Sequence, residues 1–302
     1  MKILIKGAGD LASGIACRLH ACAYDIVMTD LAIPTAVRRT VSFSRAIYEG
    51  QAEVEAITAK RCDAPKELEA ILVSKQIAVM VDPQARIAKD WQPDVIVDAI
   101  LAKKNLGTSM DDAPIVIAVG PGFTAGKDCH CVIESKRGHY LGRCIYEGSA
   151  IANTGVPGDI GGYTKERILR APAAGILHPL VSIGDFVEKD QICAWIDSLS
   201  DDRENLSERK AFSSKGQRKE IIEGVPMRSQ IRGIVRGLLQ DGVQVHEGMK
   251  SGDVDPRCEK EHCFTVSDKA RAIGGGVLEA ILHLSLEREK KIRCSVRRDQ
   301  KV

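Results

Sequence analysis

Aromatic side chains are scarce: phenylalanine, tryptophan and tyrosine make up 4% of the 302 residues. So thin a supply disfavours base stacking as a main activity. An excess of one charge sign is also missing. Lysine and arginine number 43 against 41 acidic residues, a formal net charge of +2. That balance lacks the clustered basic face that nucleic acid or a membrane surface demands. The one basic run, "REKKIRCSVRRDQKV" at 288–302, reads as a solvated tail. No apolar run approaches the roughly 18 residues of a membrane span. The N-terminus enters a strand with no leader-like pattern, so a cytoplasmic location is expected. G-x-S-x-G, paired-carboxylate and Ser/His/Asp arrangements are absent. The ten cysteines read in that setting as free thiols, not a disulfide framework.

Apolar residues form 44% of the chain, enough for each half to bury a core, and the length suggests about two domains. Short aliphatic segments alternate with helical ones over the first hundred or so residues. Strands are expected at 2–6, 25–28, 54–59, 77–81, 95–98 and 115–119, and helices at 9–22, 44–50 and 65–75. That alternation predicts an α/β domain with a mostly parallel sheet and helices on both faces. Glycine and proline then become dense in "NTGVPGDIGGYTKERILRAPAAG" at 153–175, where a boundary is expected.

The second half repeats itself. "GILHPLVSIGDFVEKDQICAWID" (175–197) and "GIVRGLLQDGVQVHEGMKSGDVD" (233–255) align without a gap at an offset of 58. Two such units should pack on one another as a pseudo-twofold β-domain. The charged, serine-rich stretch between them, 198–222, is expected to be a mobile insert. A helix capped by Ser267 or Asp268 should follow, with one apolar stripe. Its run Gly274-Gly275-Gly276 costs about 1 kcal/mol per glycine against alanine. A neighbouring element or a ligand must therefore come close to that backbone.

The chemistry-bearing signal lies at the start. Gly7-Ala8-Gly9-Asp10-Leu11-Ala12 fits G-x-G-x-x-G/A between a predicted strand and a predicted helix. Gly7 would make the tight turn, Gly9 would admit a pyrophosphate, and Ala12 is small enough for close packing. The helix N-terminus would supply free N–H groups. Asp10 puts a negative charge near that anion. Asp30 lies 21 residues after Gly9, at the end of the second strand, where a carboxylate meets ribose hydroxyls and favours NAD over NADP. A second glycine turn, Gly120-Pro121-Gly122, ends another strand and would wall the same crevice, or simply turn the chain. His139 is the first histidine to consider for proton transfer. Cys263 is the thiol to consider as nucleophile, although a small buried hydrophobe is its default reading. The clusters Cys129-His130-Cys131 and Cys258/His262/Cys263 match no standard zinc spacing, and no metal site is expected.

Long stretches resemble a known family. "GAGDLASGIACRL", "AVRRTVSFSRAIYEG", "VDAILAKKNLGT", "GPGFTAGKD", "RGHYLGR", "EGSAIANTGVPGDIGGYTKERILRAPAAGIL", "GDVDPR" and "SDKARAIGGGVLEAIL" are similar to the YqeB-type selenium-dependent molybdenum hydroxylase system proteins. The resemblance implies a bacterial accessory protein for maturing xanthine dehydrogenase-like molybdenum hydroxylases. Its expected ligand is a dinucleotide, either NAD or molybdopterin cytosine dinucleotide. Expected partners are a molybdenum hydroxylase or its cofactor-assembly proteins, or a further copy of the chain. Nucleic acid and membranes are not expected partners. The repeated half also resembles the biotinyl/lipoyl barrel-sandwich hybrid, as a non-carrier form without a lysine at the hairpin tip. The expected division is therefore a Rossmann-like domain at 1–165, the β-domain at 166–264, and a helix with a basic tail at 265–302 returning to the first domain. An NAD-dependent oxidoreductase acting on a small substrate is the alternative.

Overall fold

The computed structural model describes residues 1–155, 158–198 and 224–299; most of the insert expected at 198–222 falls outside them. Two compact units divide the chain. The first comprises Met1–Pro34, Val41–Gly155 and Thr265–Val302, the second Thr35–Thr40 and Val156–Phe264.

The first unit is a mixed α/β body. Its elements are β1 (Lys2–Lys6), α1 (Asp10–His20), β2 (Asp25–Asp30), α2 (Arg45–Glu49), β3 (Gln51–Val54), β4 (Ile57–Arg61), α3 (Pro65–Val73), β5 (Ile77–Val81), α4 (Ala88–Trp91), β6 (Val95–Asp98), β7 (Ile115–Val119), β8 (Cys131–Ile133) and β9 (Cys144–Ile145). They form a nine-stranded sheet in the order β3-β4-β5-β2-β1-β6-β7-β8-β9. The pairings from β4 through β8 are parallel, and those at both ends are antiparallel. Alternate strand residues explain the unbroken aliphatic runs, because both faces are covered. Ile3, Ile5, Met28, Val79, Val97 and Ile117 face one core with α1. Leu4, Val27, Ala78, Ile96 and Val116 face the other with Leu68 and Ile71 of α3.

One expected strand, 54–59, is a hairpin instead. Glu55 and Ala56 both take positive φ, 49° and 65°, and turn the chain between β3 and β4. Neither is a residue that advertises such a turn.

The second unit contains β10 (Ile168–Arg170), β11 (Gly175–Pro179), β12 (Phe186–Val187), β13 (Ile192–Ser198), β14 (Val225–Arg228), β15 (Gly233–Leu238), β16 (Gln244–Val245) and β17 (Lys250–Asp255). They make two four-stranded sheets, β10-β17-β15-β12 and β14-β13-β11-β16, which do not close into a barrel. Each repeat lends its short strand to the other's sheet. Gly175 pairs Val245, and its repeat-mate Gly233 pairs Val187. The same exchange appears in the turns, where Gly184 N donates to Val235 O at 2.8 Å and Gly242 N to Leu177 O at 3.0 Å. The internal repeat is thus a pseudo-twofold with a shared core of Leu177, Val187, Ile196, Val235, Val245 and Val254. Thr35–Thr40 joins this unit through Val37 O, which accepts Leu238 N at 2.7 Å.

Helix α5 (Asp268–Asp299) belongs to the first unit. Ser267 Oγ accepts the Ala270 amide at 3.2 Å and caps its N-terminus. Ala270, Ile273, Val277, Ala280 and Ile281 join the core beside α1. The glycine run is a packing device. A Cβ on Gly274 would lie 3.2 Å from Gly14 O, one on Gly276 would strike the Gly142 carbonyl, and one on Gly275 would meet nothing within 4 Å. The helix continues through the basic run that reads as a tail. Glu287–Lys290 and Glu289–Arg293 ion pairs support it there, spaced as helical neighbours. Among the described residues no helix is long and apolar enough to cross a membrane.

Candidate functional site

Strand order in the first unit reverses between β1 and β6, and open parallel sheets take ligands beyond the carboxyl ends of their strands at such a point. The Gly7–Ala12 loop sits there. Gly7 has φ +95°, and a Cβ on it would lie 3.0 Å from Ala99 O, so a side chain is excluded on both counts. Gly9 stands at the N-cap of α1 with φ −69° and ψ −177°, and no side chain caps the helix. Asp10 opens the helix as its first-turn acid, and Ala12 is buried 1% exposed against the core.

Asp30 ends β2 and holds the loop in place. Its Oδ2 accepts the Ala8 amide at 2.9 Å and its Oδ1 the Leu31 amide at 2.8 Å. Burial pushes its pKa up, and those two amide bonds oppose the rise. Each carboxylate oxygen retains a second lone pair. Beside it, Leu31, Ile33 and Val81 are 48%, 56% and 40% exposed, and Val81 is the strand partner of Asp30. The loop is braced behind by Ser13, whose hydroxyl donates to Ala8 O at 3.2 Å and accepts the Phe43 amide at 2.8 Å.

The neighbouring strand end carries a buried polar set. Lys6 Nζ donates to Thr108 Oγ1 at 2.5 Å and lies 3.7 Å from Asp98 Oδ2, which also accepts Thr108 Oγ1 at 2.6 Å. Asn105 ties the loop that delivers Thr108, its side chain accepting the Gly107 and Thr108 amides. The second glycine turn faces protein. A Cβ on Gly120 would meet Ser135 Oγ at 2.5 Å, and one on Gly122 would meet Lys104 N at 2.6 Å. Those two glycines let neighbouring chain segments come close.

The remaining candidates stand elsewhere. His139 lies exposed in the turn between β8 and β9, its ring 5.0 Å from Tyr140. Arg137 of that turn pairs Asp268 at the start of α5. Cys263, in the second unit, is fully buried with its Sγ 3.6 Å from Val235 O, and burial raises its pKa. That favours an inert thiol over a nucleophile. No group of three or more His, Cys, Asp or Glu among the described residues is placed to hold a metal ion.

Sequence reasoning missed a thiol pair. Cys131 on β8 and Cys144 on β9 lie on paired strands, and the influence of the Cys131 thiol holds Cys144 below the ordinary thiol range despite its burial. The same coupling, followed by burial, drives Cys131 up. Cys144 Sγ also lies 3.1 Å from Gly276 O, and the Tyr146 and His283 rings pack beside it with centroids 4.6 Å apart. Only strand pairing reveals this set, since the two cysteines are thirteen positions apart with no motif between them.

No protein-family model matches the chain. It is 46% identical over 282 residues to the uncharacterized protein YqeB of Escherichia coli (strain K12), a match that covers 93% of this chain and 47% of that one. At that identity the two are homologues, and the chain spans about half the length of its relative. Among solved structures, an aspartoacylase family protein from Mesorhizobium loti matches with TM-score 0.24 and 11% identity over 84% of each chain. A succinylglutamate desuccinylase/aspartoacylase from Rhodobacter sphaeroides gives 0.26 and 14% over 83% of this chain and 84% of that one. Overlaps this weak carry no argument about fold or chemistry.

Proposed function

We propose that this chain is a cytoplasmic accessory protein in the maturation of selenium-dependent molybdenum hydroxylases, and that its first unit binds a dinucleotide over the Gly7–Ala12 loop. The observation that carries the binding claim is a convergence at the β1/β6 reversal. A glycine turn at φ +95°, a helix with no side-chain cap and the Asp30 carboxylate meet there. Seven strands, β4-β5-β2-β1-β6-β7-β8, pair in parallel, and the six that follow β4 keep the order of a Rossmann-like doubly wound fold.

The α1 N-terminus offers amides to a pyrophosphate, and the spare lone pairs of Asp30 suit ribose hydroxyls. Exposed Leu31, Ile33 and Val81 offer an apolar surface for a base. Asp30 favours NAD over NADP, and molybdopterin cytosine dinucleotide is the other ligand of this class. The molybdenum setting rests on the motif resemblance. It makes a molybdenum hydroxylase or its cofactor-assembly proteins the partners. The repeated unit fits a non-carrier platform of the barrel-sandwich-hybrid type.

An NAD-dependent oxidoreductase is the second reading, and the buried Lys6–Thr108–Asp98 set at the strand ends favours it, because hydride transfer needs a nearby proton-handling group. Thermal melting with NAD, NADP, CTP and molybdopterin cytosine dinucleotide separates the readings. A ligand present at 100 times its Kd adds about 2.7 kcal/mol. A shift with the cytosine dinucleotide supports cofactor handling, and a shift with NAD alone supports the oxidoreductase. No shift with any of the four would refute the binding claim.

A further inference from the structure

The thiol pair stands at one edge of the nine-stranded sheet, where β9 is the last strand. Strands β8 and β9 pair antiparallel with Ile133 opposite Cys144. Side chains alternate between the faces of a strand, so Cys131, two positions before Ile133, shares a face with Cys144 and lies diagonal to it across the ladder. Packing agrees with that register. Cys131 belongs to the core beside α1 and α5, and Cys144 packs against the same core. Cys129, two positions before Cys131, belongs to the core on the opposite face.

Helix α5 closes over the pair. Cys144 Sγ donates to Gly276 O at 3.1 Å, in the same stretch where a Cβ on Gly276 would strike the Gly142 carbonyl. Tyr146 shares the Cys144 face of β9, and its ring stacks beside His283 of α5 at 4.6 Å between centroids. Glu279 of α5 is near enough to act on Cys144 by its charge.

The two thiols differ from each other as an attacking and a resolving thiol must. Cys131 is fully buried, and its neighbour Cys144 and then burial drive its pKa up, so it stays protonated. Cys144 is half-buried, within reach of a small solute. The Cys131 thiol, helped by Tyr146, holds its pKa down against burial and Glu279. Burial has the opposite result at Cys17, Cys62, Cys129, Cys193 and Cys263, each of which it raises. Accessible thiols of lowered pKa with a second thiol beside them are the ones that oxidise reversibly.

We propose that Cys131 and Cys144 form a peroxide-reactive dithiol, in which Cys144 attacks and Cys131 resolves. The Cys144 sulfur attacks one oxygen of hydrogen peroxide and the O–O bond breaks. Cys144 becomes a sulfenic acid, and the departing oxygen leaves as water with the proton that the thiol gave up. The Cys131 sulfur then attacks the Cys144 sulfur and the S–O bond breaks. The hydroxyl leaves as a second water with the Cys131 proton, and a disulfide remains. The two thiols together lose two electrons, and the peroxide gains them. The disulfide also removes the proton that Cys144 donates to Gly276 O, so oxidation deletes a bond between β9 and α5. The pair lies wholly within the first unit and does not depend on the dinucleotide reading.

Stepwise addition of hydrogen peroxide to the reduced full chain, read by differential alkylation and peptide mass spectrometry, tests it. Cys22, Cys258 and Cys294 are exposed and serve as internal references. Cys144 and Cys131 should lose alkylation together, several-fold faster than the references, and recover together in dithiothreitol. A peptide linked through Cys131 and Cys144 should accumulate, and fragment ions separate Cys131 from Cys129, which shares its tryptic peptide. In Cys131→Ala the Cys144 sulfenic acid has no resolving thiol, so at equal loss of the Cys144 thiol it should take several-fold more dimedone than in the wild type. Cys144→Ser should leave Cys131 reduced at peroxide doses that consume it in the wild type. Cys144 reacting no faster than the exposed references in the wild type, or joining a cysteine other than Cys131, would overturn the proposal.

Discussion

Alanine at Gly275 and alanine at Gly276 should change the stability of the first unit in opposite directions. Both residues lie inside α5, where glycine costs about 1 kcal/mol against alanine. At Gly275 a Cβ meets nothing within 4 Å, so the substitution should recover most of that and stabilise by roughly 0.5–1 kcal/mol. At Gly276 the same atom would enter the space of the Gly142 carbonyl and lie 3.1 Å from Ile133 Cγ2. Gly142 itself has φ +84°, so its backbone has little room to retreat. Overpacking of a tight contact costs about 1–3 kcal/mol, which outweighs the propensity gain. Urea unfolding reads the difference. The chain has two tryptophans, Trp91 in the first unit and Trp195 in the second, so a Trp195→Phe background makes fluorescence report on the first unit alone. With a urea slope of about 2–3 kcal/mol/M, the two variants should have midpoints on either side of the parent. Midpoints that move the same way would refute the assigned packing of α5.

Ile273→Ala should cost about 2–5 kcal/mol, since Ile273 is fully buried, while Leu286→Ala, at 57% exposed, should stay within about 0.5 kcal/mol; equal losses in urea unfolding would contradict that burial. Burial raises the Asp255 pKa, but Arg257 hydrogen bonds and the charges of Arg257 and Arg236 outweigh it and leave the pKa lowered. A lowered folded pKa gives stability that is present above the unfolded value of about 3.9 and is lost as pH falls through the folded one. Acid should therefore destabilise the second unit below about pH 4, and Asp255→Asn should flatten that dependence in Trp195 fluorescence. Cys131→Ala removes the neighbouring thiol that lowers the Cys144 pKa, so mass-spectrometric alkylation of Cys144 near pH 7 should slow; an unchanged rate would show that Cys131 does not tune it.

Local pattern made much of the sheet legible. The strands Lys2–Lys6, Ile77–Val81, Val95–Asp98 and Ile115–Val119 stand where aliphatic runs end at glycine, proline or charge. The repeat offset also foretold the pseudo-twofold, because Gly175 and Gly233 each fit where a Cβ would strike the facing strand's carbonyl. What escaped was set by distant contacts. No local signal assigns Thr35–Thr40 to the second unit, since its anchor is Val37 bonded to Leu238, some two hundred positions away. The basic run after Arg288 reads as a tail in sequence, yet helical ion-pair spacing carries α5 to Asp299. At the site, Gly7 and Asp30 were legible from the fingerprint. The role of Asp30 as a brace for the Ala8 amide was not, because it depends on how closely β1 and β2 lie at their ends.

The central claim is that the Gly7–Ala12 loop binds a dinucleotide, and calorimetric titration of NAD and of molybdopterin cytosine dinucleotide into wild-type and Gly9→Val protein tests it most directly. Gly9 has φ −69°, which any residue can adopt, so valine there should block the pyrophosphate without straining the loop. The account predicts saturable binding of at least one of the two by the wild type and its loss in Gly9→Val, with an unchanged melting temperature for the unliganded variant. No binding of either ligand by the wild type, or equal binding by the variant, would contradict it.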